Sequence, residues 1–267
     1  MLAHYVAGNP KNQLVVLVHG VCDSASVWID LIRQLSGNYF VVAVDSLGHG
    51  ASPAFTDTDL TDPAAASARE LTETLEYLQA SRNDRAIIVA HSMGAAISTL
   101  VANDRADLVK ALFLEDPAWL NETQKAGYRE RAAGEVDKAE HIWRTDPVRT
   151  LADNTSLRPF WPVSSQYGWS VGKALVDTAL LATGIVSFLP DWEQLAAKLP
   201  IPTWVITSDT DVVLIGESGA AKIAELGNPN LSCHIIPGTD HGVRLGNTEA
   251  YNALLKQFLT EQSPARD

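Results

Sequence analysis

The chain has 267 residues, 46% of them hydrophobic, and a formal net charge of −12. This is the composition of a soluble globular protein, and the length allows either one large α/β domain or two small domains. The acidic balance, without a long run of Lys or Arg, excludes the usual nucleic-acid-binding classes. Apolar runs are too short for a bilayer span, and the first residues do not resemble a secretory leader, so we expect no membrane partner.

The cysteines indicate the redox environment of the protein and whether a metal site is expected. The two cysteines, Cys22 and Cys233, are far apart and have no metal-type spacing. A zinc site and a disulfide framework are therefore not expected, and a reducing compartment fits the pattern. We predict a cytoplasmic protein without a metal ion.

Short, continuous apolar runs rich in β-branched residues recur along the chain and predict buried strands of a parallel sheet. In chain order these are 14–18, 39–44, 86–90, 111–115, 203–207 and 231–236. Helical patterns lie between them, at 25–36, 64–80, 95–103, 217–226 and 248–260. Strands that alternate with helices predict an α/β fold, with a mostly parallel open sheet and helices on both faces.

One long interval, 117–199, interrupts this alternation with helical patterns and Pro or Gly breaks. A structureless loop of this length is unusual inside a compact domain, so we predict a helical insertion. The core domain would then comprise 1–116 and 200–267. The insertion holds five of the seven tryptophans: Trp119, Trp143, Trp161, Trp169 and Trp192. They could pack a small subdomain, form an aromatic cap over a pocket, or do both.

The segment "VAHSMGAA" places Ser92 between a predicted strand and a predicted helix. A very tight strand-to-helix turn would expose the serine hydroxyl above the sheet edge, and it requires small residues two positions before and after. Ala90 and Gly94 meet that requirement, although Ala90 departs from the usual G-x-S-x-G. The alternative is that Ser92 is only a helix N-cap.

A serine nucleophile needs a base and a carboxylate that orients the base. His241 follows the last predicted strand, at the sheet edge where Ser92 lies, and is the candidate base. The strand 203–207 is followed by Asp209 and Asp211. The order Ser92, Asp211, His241 is the order found in α/β-hydrolases.

These features make the whole chain similar to α/β-hydrolase-fold serine hydrolases of the esterase and lipase type, with a helical cap. Two further segments carry the resemblance: "HG" after the first predicted strand, and "DSLGHGAS" at 45–52. The resemblance implies Asp211 as the acid, and a minority arrangement would use Glu115 or Asp116 instead. It also implies an oxyanion hole formed by the backbone N–H groups of Val21 and Met93.

The resemblance implies hydrolysis of a carboxylic ester, lactone or thioester of a small to medium apolar molecule through an acyl-enzyme on Ser92, without a cofactor. Carbon–carbon bond hydrolysis, cofactor-free perhydrolysis and a small-molecule receptor on the same scaffold remain alternatives. A homo-oligomer is compatible with the sequence. The candidate pocket residues are Cys22, His91, Trp119, Trp143, Trp161 and Trp169.

Overall fold

A seven-stranded sheet forms the centre of the protein in a computed structural model, which describes residues 1–189 and 191–263. The strands are β1 (His4–Ala7), β2 (Leu14–Val18), β3 (Phe40–Val44), β4 (Ala86–His91), β5 (Val109–Glu115), β6 (Thr203–Thr207) and β7 (Leu231–Ile235). Their order in the sheet is β1-β3-β2-β4-β5-β6-β7. Only the β1–β3 pair among these strands is antiparallel.

The central strands are buried on both faces, as their continuous apolar sequences predict. Every residue of β2 is buried, and so are the first five residues of β4. Such strands require helices above and below the sheet to cover both rows of side chains. The mostly parallel α/β sheet predicted from the sequence is confirmed.

The α-helices of the described residues include those that cover both faces of the sheet. They are α1 (Ile29–Leu35), α2 (Pro63–Gln79), α3 (Ser92–Asp104), α4 (Glu122–Lys138), α5 (Pro147–Leu157), α6 (Val163–Ala174), α7 (Thr178–Thr183), α8 (Trp192–Ala197), α9 (Gly216–Glu225), α10 (Val243–Gly246) and α11 (Thr248–Gln262). Alternate residues of β2 to β6 enter two apolar clusters. In β2, Val16 joins the cluster that contains α3, and Val15 joins the cluster that contains α11.

Helices α4 to α8 lie between β5 and β6 in the chain, where the sequence predicts a helical cap over 117–199. The ends of this segment pack into the main core, since Trp119 and Trp192 stack with ring centroids 5.3 Å apart inside it. A domain boundary at 117 and 199 therefore remains an interpretation. Pro190 and 264–267, which fall in the predicted cap and core segments, lie outside the described residues.

The parallel register brings the carboxyl ends of the central strands to one edge of the sheet. His91, at the end of β4, is aligned with Glu115, at the end of β5. The residues that follow β4, β5 and β6 therefore emerge close together, where ligand sites of open α/β sheets form. Across the described parts of the chain, no helix combines the length and the apolar character needed to cross a bilayer.

Candidate active site

Ser92 stands at a sharp turn between β4 and α3. Its φ is +51°, in the left-handed region that non-glycine residues rarely adopt and that costs about 1–2 kcal/mol. The next residue belongs to the first turn of α3, whose backbone N–H groups have no partners within the helix. The turn therefore places the serine hydroxyl beside unused N–H donors at a helix N-terminus.

Two small residues make this turn sterically feasible. A Cβ atom added to Gly94 would lie 2.5 Å from the carbonyl oxygen of His19 and 2.7 Å from that of Val18. The backbone of α3 thus touches the end of β2, and a larger side chain would push them apart. Ala90 is fully buried, which agrees with the small size predicted at this position.

His241 connects Ser92 to a buried carboxylate. The Ser92 hydroxyl lies 2.9 Å from His241 Nε2, and His241 Nδ1–H donates to Asp116 Oδ2 at 2.5 Å. Because the carboxylate accepts from Nδ1–H, Nε2 is left with a lone pair toward the serine hydroxyl. This is the geometry of a serine nucleophile, a general base and an orienting acid.

The acid in this arrangement is Asp116, so the assignment to Asp211 is corrected. Asp116 follows β5 directly and is fully buried, with a φ of +37° that turns its side chain toward the histidine loop. Asp211 is exposed in the turn after β6. Asp209 accepts from the backbone N–H of Gly238 at 2.7 Å and supports the neighbouring loop instead.

The Asp116 carboxylate is stabilised by three donors besides His241. Thr207 Oγ1 donates at 2.9 Å, and the backbone N–H groups of Leu214 and Ile215 donate at 2.8 Å and 3.1 Å. The loop after β6 thus contributes backbone donors to the carboxylate. These donors satisfy the oxygens of a carboxylate that has no contact with water.

The charge of Asp116 alters the acidity of its histidine partner. Burial lowers the pKa of His241, but the hydrogen bond and negative charge of Asp116 outweigh burial and raise the pKa above its ordinary 6.5. The neighbouring His91 has a pKa shifted in the opposite direction. Burial and the neighbouring His241 hold the pKa of His91 well below 6.5, so it stays neutral.

The loop after β2 lies against the turn at Ser92. A Cβ atom on Gly20 would lie 3.1 Å from Ser92 Cβ, which shows how close the two backbones are. His19 holds this loop, because its Nδ1–H donates to the Gly20 carbonyl at 2.7 Å and its Nε2 accepts from Ser46 N–H at 3.0 Å. Burial lowers the pKa of His19 to about 4, so the ring is neutral in this role.

A cavity of about 440 Å³ opens onto Ser92 and His241, and Val21 lines it. Three cations and three acids also line it, namely Arg158, Lys173, Arg244, Asp23, Glu115 and Asp240. A second cavity of about 460 Å³ shares Val21, Lys173 and His241 with the first. Ionisable side chains thus surround much of the space next to the serine.

Four of the six pocket candidates line a cavity, and two do not. His91, Trp161 and Trp169 line the cavity at Ser92, and Cys22 lines the second cavity. Trp119 is a core residue instead, because it is 1% exposed and its Nε1–H donates to Thr99 Oγ1 at 3.1 Å.

Trp143 also lies away from the walls of both cavities. It packs with Ala139, Val176 and Leu181 in a small apolar cluster. The placement of Trp119 and Trp143 on the cavity wall is therefore corrected.

Sequence reasoning did not identify the charged residues of the cavity wall. Asp23, Arg158, Lys173 and Arg244 belong to segments far apart in the chain, and no motif marks them. Of these residues, Asp23 could have been expected near the site, because it follows β2 in the same loop as Gly20, three residues further on. In the parts of the chain that the structure describes, no group of three or more His, Cys, Asp and Glu side chains is arranged to hold a metal ion.

Comparisons with known proteins identify the family of the chain. The model of the alpha/beta hydrolase family matches residues 15–254. The chain is 33% identical over 125 residues to a probable esterase of Oryza sativa subsp. japonica, an alignment that covers 46% of this chain and 45% of that protein. The first curated relatives are thus matched over half of their length or less.

Other matches extend over nearly the whole chain. The 2-(acetamidomethylene)succinate hydrolase of Mesorhizobium japonicum is 24% identical over 260 residues, which is 92% of this chain and 87% of that protein. A crystal structure of E-2-(acetamidomethylene)succinate hydrolase superimposes with a TM-score of 0.79 at 22% identity, over 97% of this chain and 94% of the other. The structural likeness shows a shared fold. The protein belongs to the alpha/beta hydrolase family and has the fold of that family.

Proposed function

We propose that the protein hydrolyses a carboxylic ester, a lactone or a thioester through an acyl-enzyme on Ser92. The observation that carries this proposal is the hydrogen-bonded series from the Ser92 hydroxyl through His241 to the buried Asp116. A hydroxyl with a base 2.9 Å away and an open cavity beside it can act as a nucleophile toward a carbonyl carbon.

In the first half-reaction, His241 Nε2 takes the proton of Ser92 as the oxygen attacks the carbonyl carbon. Asp116 keeps Nδ1 protonated and stabilises the imidazolium that forms. The backbone N–H groups of Val21 and Met93 donate to the oxyanion of the tetrahedral intermediate. The intermediate collapses, and His241 returns the proton to the departing alcohol.

In the second half-reaction, water attacks the acyl group on Ser92. His241 takes a proton from the water, and the new tetrahedral intermediate uses the same two N–H donors. Collapse releases the carboxylic acid and returns the proton to the Ser92 oxygen. Each step uses the same base, so one histidine serves as acid and base in turn.

A second candidate is cleavage of an amide by the same acyl transfer. The similarity to the 2-(acetamidomethylene)succinate hydrolase favours this candidate, since the alignment covers 87% of that relative. The molecule in the relative's name contains an acetamido group. Carbon–carbon bond hydrolysis and perhydrolysis would require the same serine and histidine. A receptor function would require the cavity but not turnover.

The test is to incubate the wild type, Ser92→Ala and Ser98→Ala with a fluorophosphonate probe and with p-nitrophenyl esters of several chain lengths. Ser98 is the matched control, since it is buried in the same helix and its hydroxyl donates to the Gly94 carbonyl at 2.7 Å. We expect labelling and turnover in the wild type and Ser98→Ala only. A parallel assay with 2-(acetamidomethylene)succinate tests the amide candidate. Turnover by Ser92→Ala at the wild-type rate would overturn the mechanism.

A further inference from the structure

A lysine lies on the wall of both cavities. Lys173, near the end of α6, lines the cavity at Ser92 and the adjoining one. Its Nζ lies 4.8 Å from the ring centroid of Trp169 and 5.4 Å from that of Trp143. Among the described residues, none brings a carboxylate oxygen within 4.0 Å of this ammonium.

Three other lysines of the chain do have a carboxylate partner. Lys125, Lys138 and Lys222 each have a carboxylate oxygen at 2.8–2.9 Å. Two other cations line the cavity at Ser92. Arg158 Nε lies 3.1 Å from Asp240 Oδ2, whereas Arg244 Nη2 donates to the Val27 carbonyl at 3.1 Å and its Nε has no hydrogen-bond partner among the described residues.

Lys173 is partly buried. Two aromatic faces compensate only in part for the water that such an ammonium loses. The ammonium therefore retains capacity to bind an anion.

The position of Lys173 is set by close backbone packing. A Cβ atom on Gly172 would lie 2.7 Å from Asp23 Cα, and one on Gly168 would lie 2.4 Å from the Ser26 carbonyl oxygen. These two glycines are one helical turn apart, so α6 rests directly on the loop that follows β2. The ammonium is thus held next to the loop that carries Val21, at the edge of the reaction site.

We propose that Lys173 binds a carboxylate of the substrate, so that the enzyme prefers esters or amides that carry a second, negatively charged group. The inference rests on the proposed function and identifies its substrate class. The overall charge of −12 repels anions, so a local cation is needed to retain one beside the serine. A carboxylate fits better than a doubly charged phosphate, because Asp23, Glu115 and Asp240 also line this cavity.

The test compares pairs of esters that differ only in the free carboxylate. In the first pair, mono-p-nitrophenyl adipate carries its charge on the acyl side, and its methyl ester is neutral. In the second pair, 4-acetoxybenzoate carries its charge on the leaving group, and its methyl ester is neutral. The variants are Lys173→Met, Lys173→Arg and, as a matched control, the exposed Lys138→Met on α4. Thermal melts establish that each variant is folded.

We expect Lys173→Met to lower kcat/KM about 10- to 100-fold for the charged member of at least one pair, mainly through KM, as loss of a charged hydrogen bond would. The neutral members should change less than about twofold. Lys173→Arg should restore most of the preference, and Lys138→Met should leave it unchanged. Equal losses on charged and neutral esters, or no loss on either charged ester, would overturn the proposal.

A binding measurement separates this proposal from the proposed function. Adipate is titrated into Ser92→Ala and into Ser92→Ala/Lys173→Met by calorimetry, with tryptophan fluorescence as a second signal because Trp143 and Trp169 flank the ammonium. Lys173-dependent binding without any ester turnover would support the anion site and refute the ester hydrolase. Turnover of neutral esters without adipate binding would refute the anion site alone.

Discussion

Replacing Asp116 with Asn tests which carboxylate orients His241. Asp116 Oδ2 accepts from both His241 Nδ1 and Leu214 N–H, so an amide nitrogen at that position would face two donors. If the amide oxygen takes that position instead, its NH₂ group faces the donors Thr207 Oγ1 and Ile215 N–H. Either orientation loses at least one buried hydrogen bond, which costs about 1–3 kcal/mol of stability.

The larger effect should be on catalysis. An Asn that presents its NH₂ group to His241 favours the tautomer with hydrogen on Nε2, which cannot accept the Ser92 proton. In the serine protease triad the equivalent change lowers kcat about 10⁴-fold, and we expect roughly 10³- to 10⁴-fold here. Since the bond and charge of Asp116 raise the pKa of His241, that pKa should fall in Asp116→Asn.

The assay is kcat and kcat/KM on a p-nitrophenyl ester from pH 5 to 9, with thermal melts of each variant. Asp211→Asn is the matched control, because Asp211 is exposed and one loop away. We expect it to retain activity within about twofold, as for a surface substitution. An active Asp116→Asn together with an inactive Asp211→Asn would refute the structural assignment.

Three further outcomes follow from the same geometry. Ala90→Leu should give insoluble or strongly destabilised protein, since overpacking a fully buried site costs about 1–3 kcal/mol or more; soluble, active protein would contradict the tight turn. The acidic limb of wild-type kcat/KM should lie above pH 6.5, because His241 must be neutral to accept a proton and its pKa is raised; a limb below pH 6 would contradict the role of Asp116. Burial raises the pKa of Glu115 from 4.5 to about 7, so the folded state resists its ionisation and loses stability as pH rises through this interval. Glu115→Gln should therefore gain up to about 3 kcal/mol relative to the wild type between pH 4.5 and pH 8 in urea unfolding, and equal pH dependence of both proteins would contradict this.

Local sequence was sufficient for most of the sheet and for two members of the candidate triad. Continuous apolar runs identify β2 to β6 because burial on both faces leaves little room for polar residues. The run 231–236 also identified β7, although the residues of that edge strand are only partly buried or exposed. The strand β1 was missed, since it has only four residues at the sheet edge and two of them, Tyr5 and Val6, are exposed. Ser92 and His241 were recognisable because each follows a buried strand in a characteristic local context.

Only the tertiary structure decided the acid and the cavity wall. Acidic residues follow both β5 and β6, and sequence order cannot tell which side chain reaches the histidine; the backbone turn at Asp116, with its φ of +37°, decides it. Trp119 and Trp161 are equally aromatic in sequence, yet one is in the core and the other lines the cavity. Lys173 reaches the site because Gly168 and Gly172 allow α6 to touch a loop about 150 positions earlier in the chain. Such contacts depend on how segments that are distant in the sequence fit together, so no local sequence pattern predicts them.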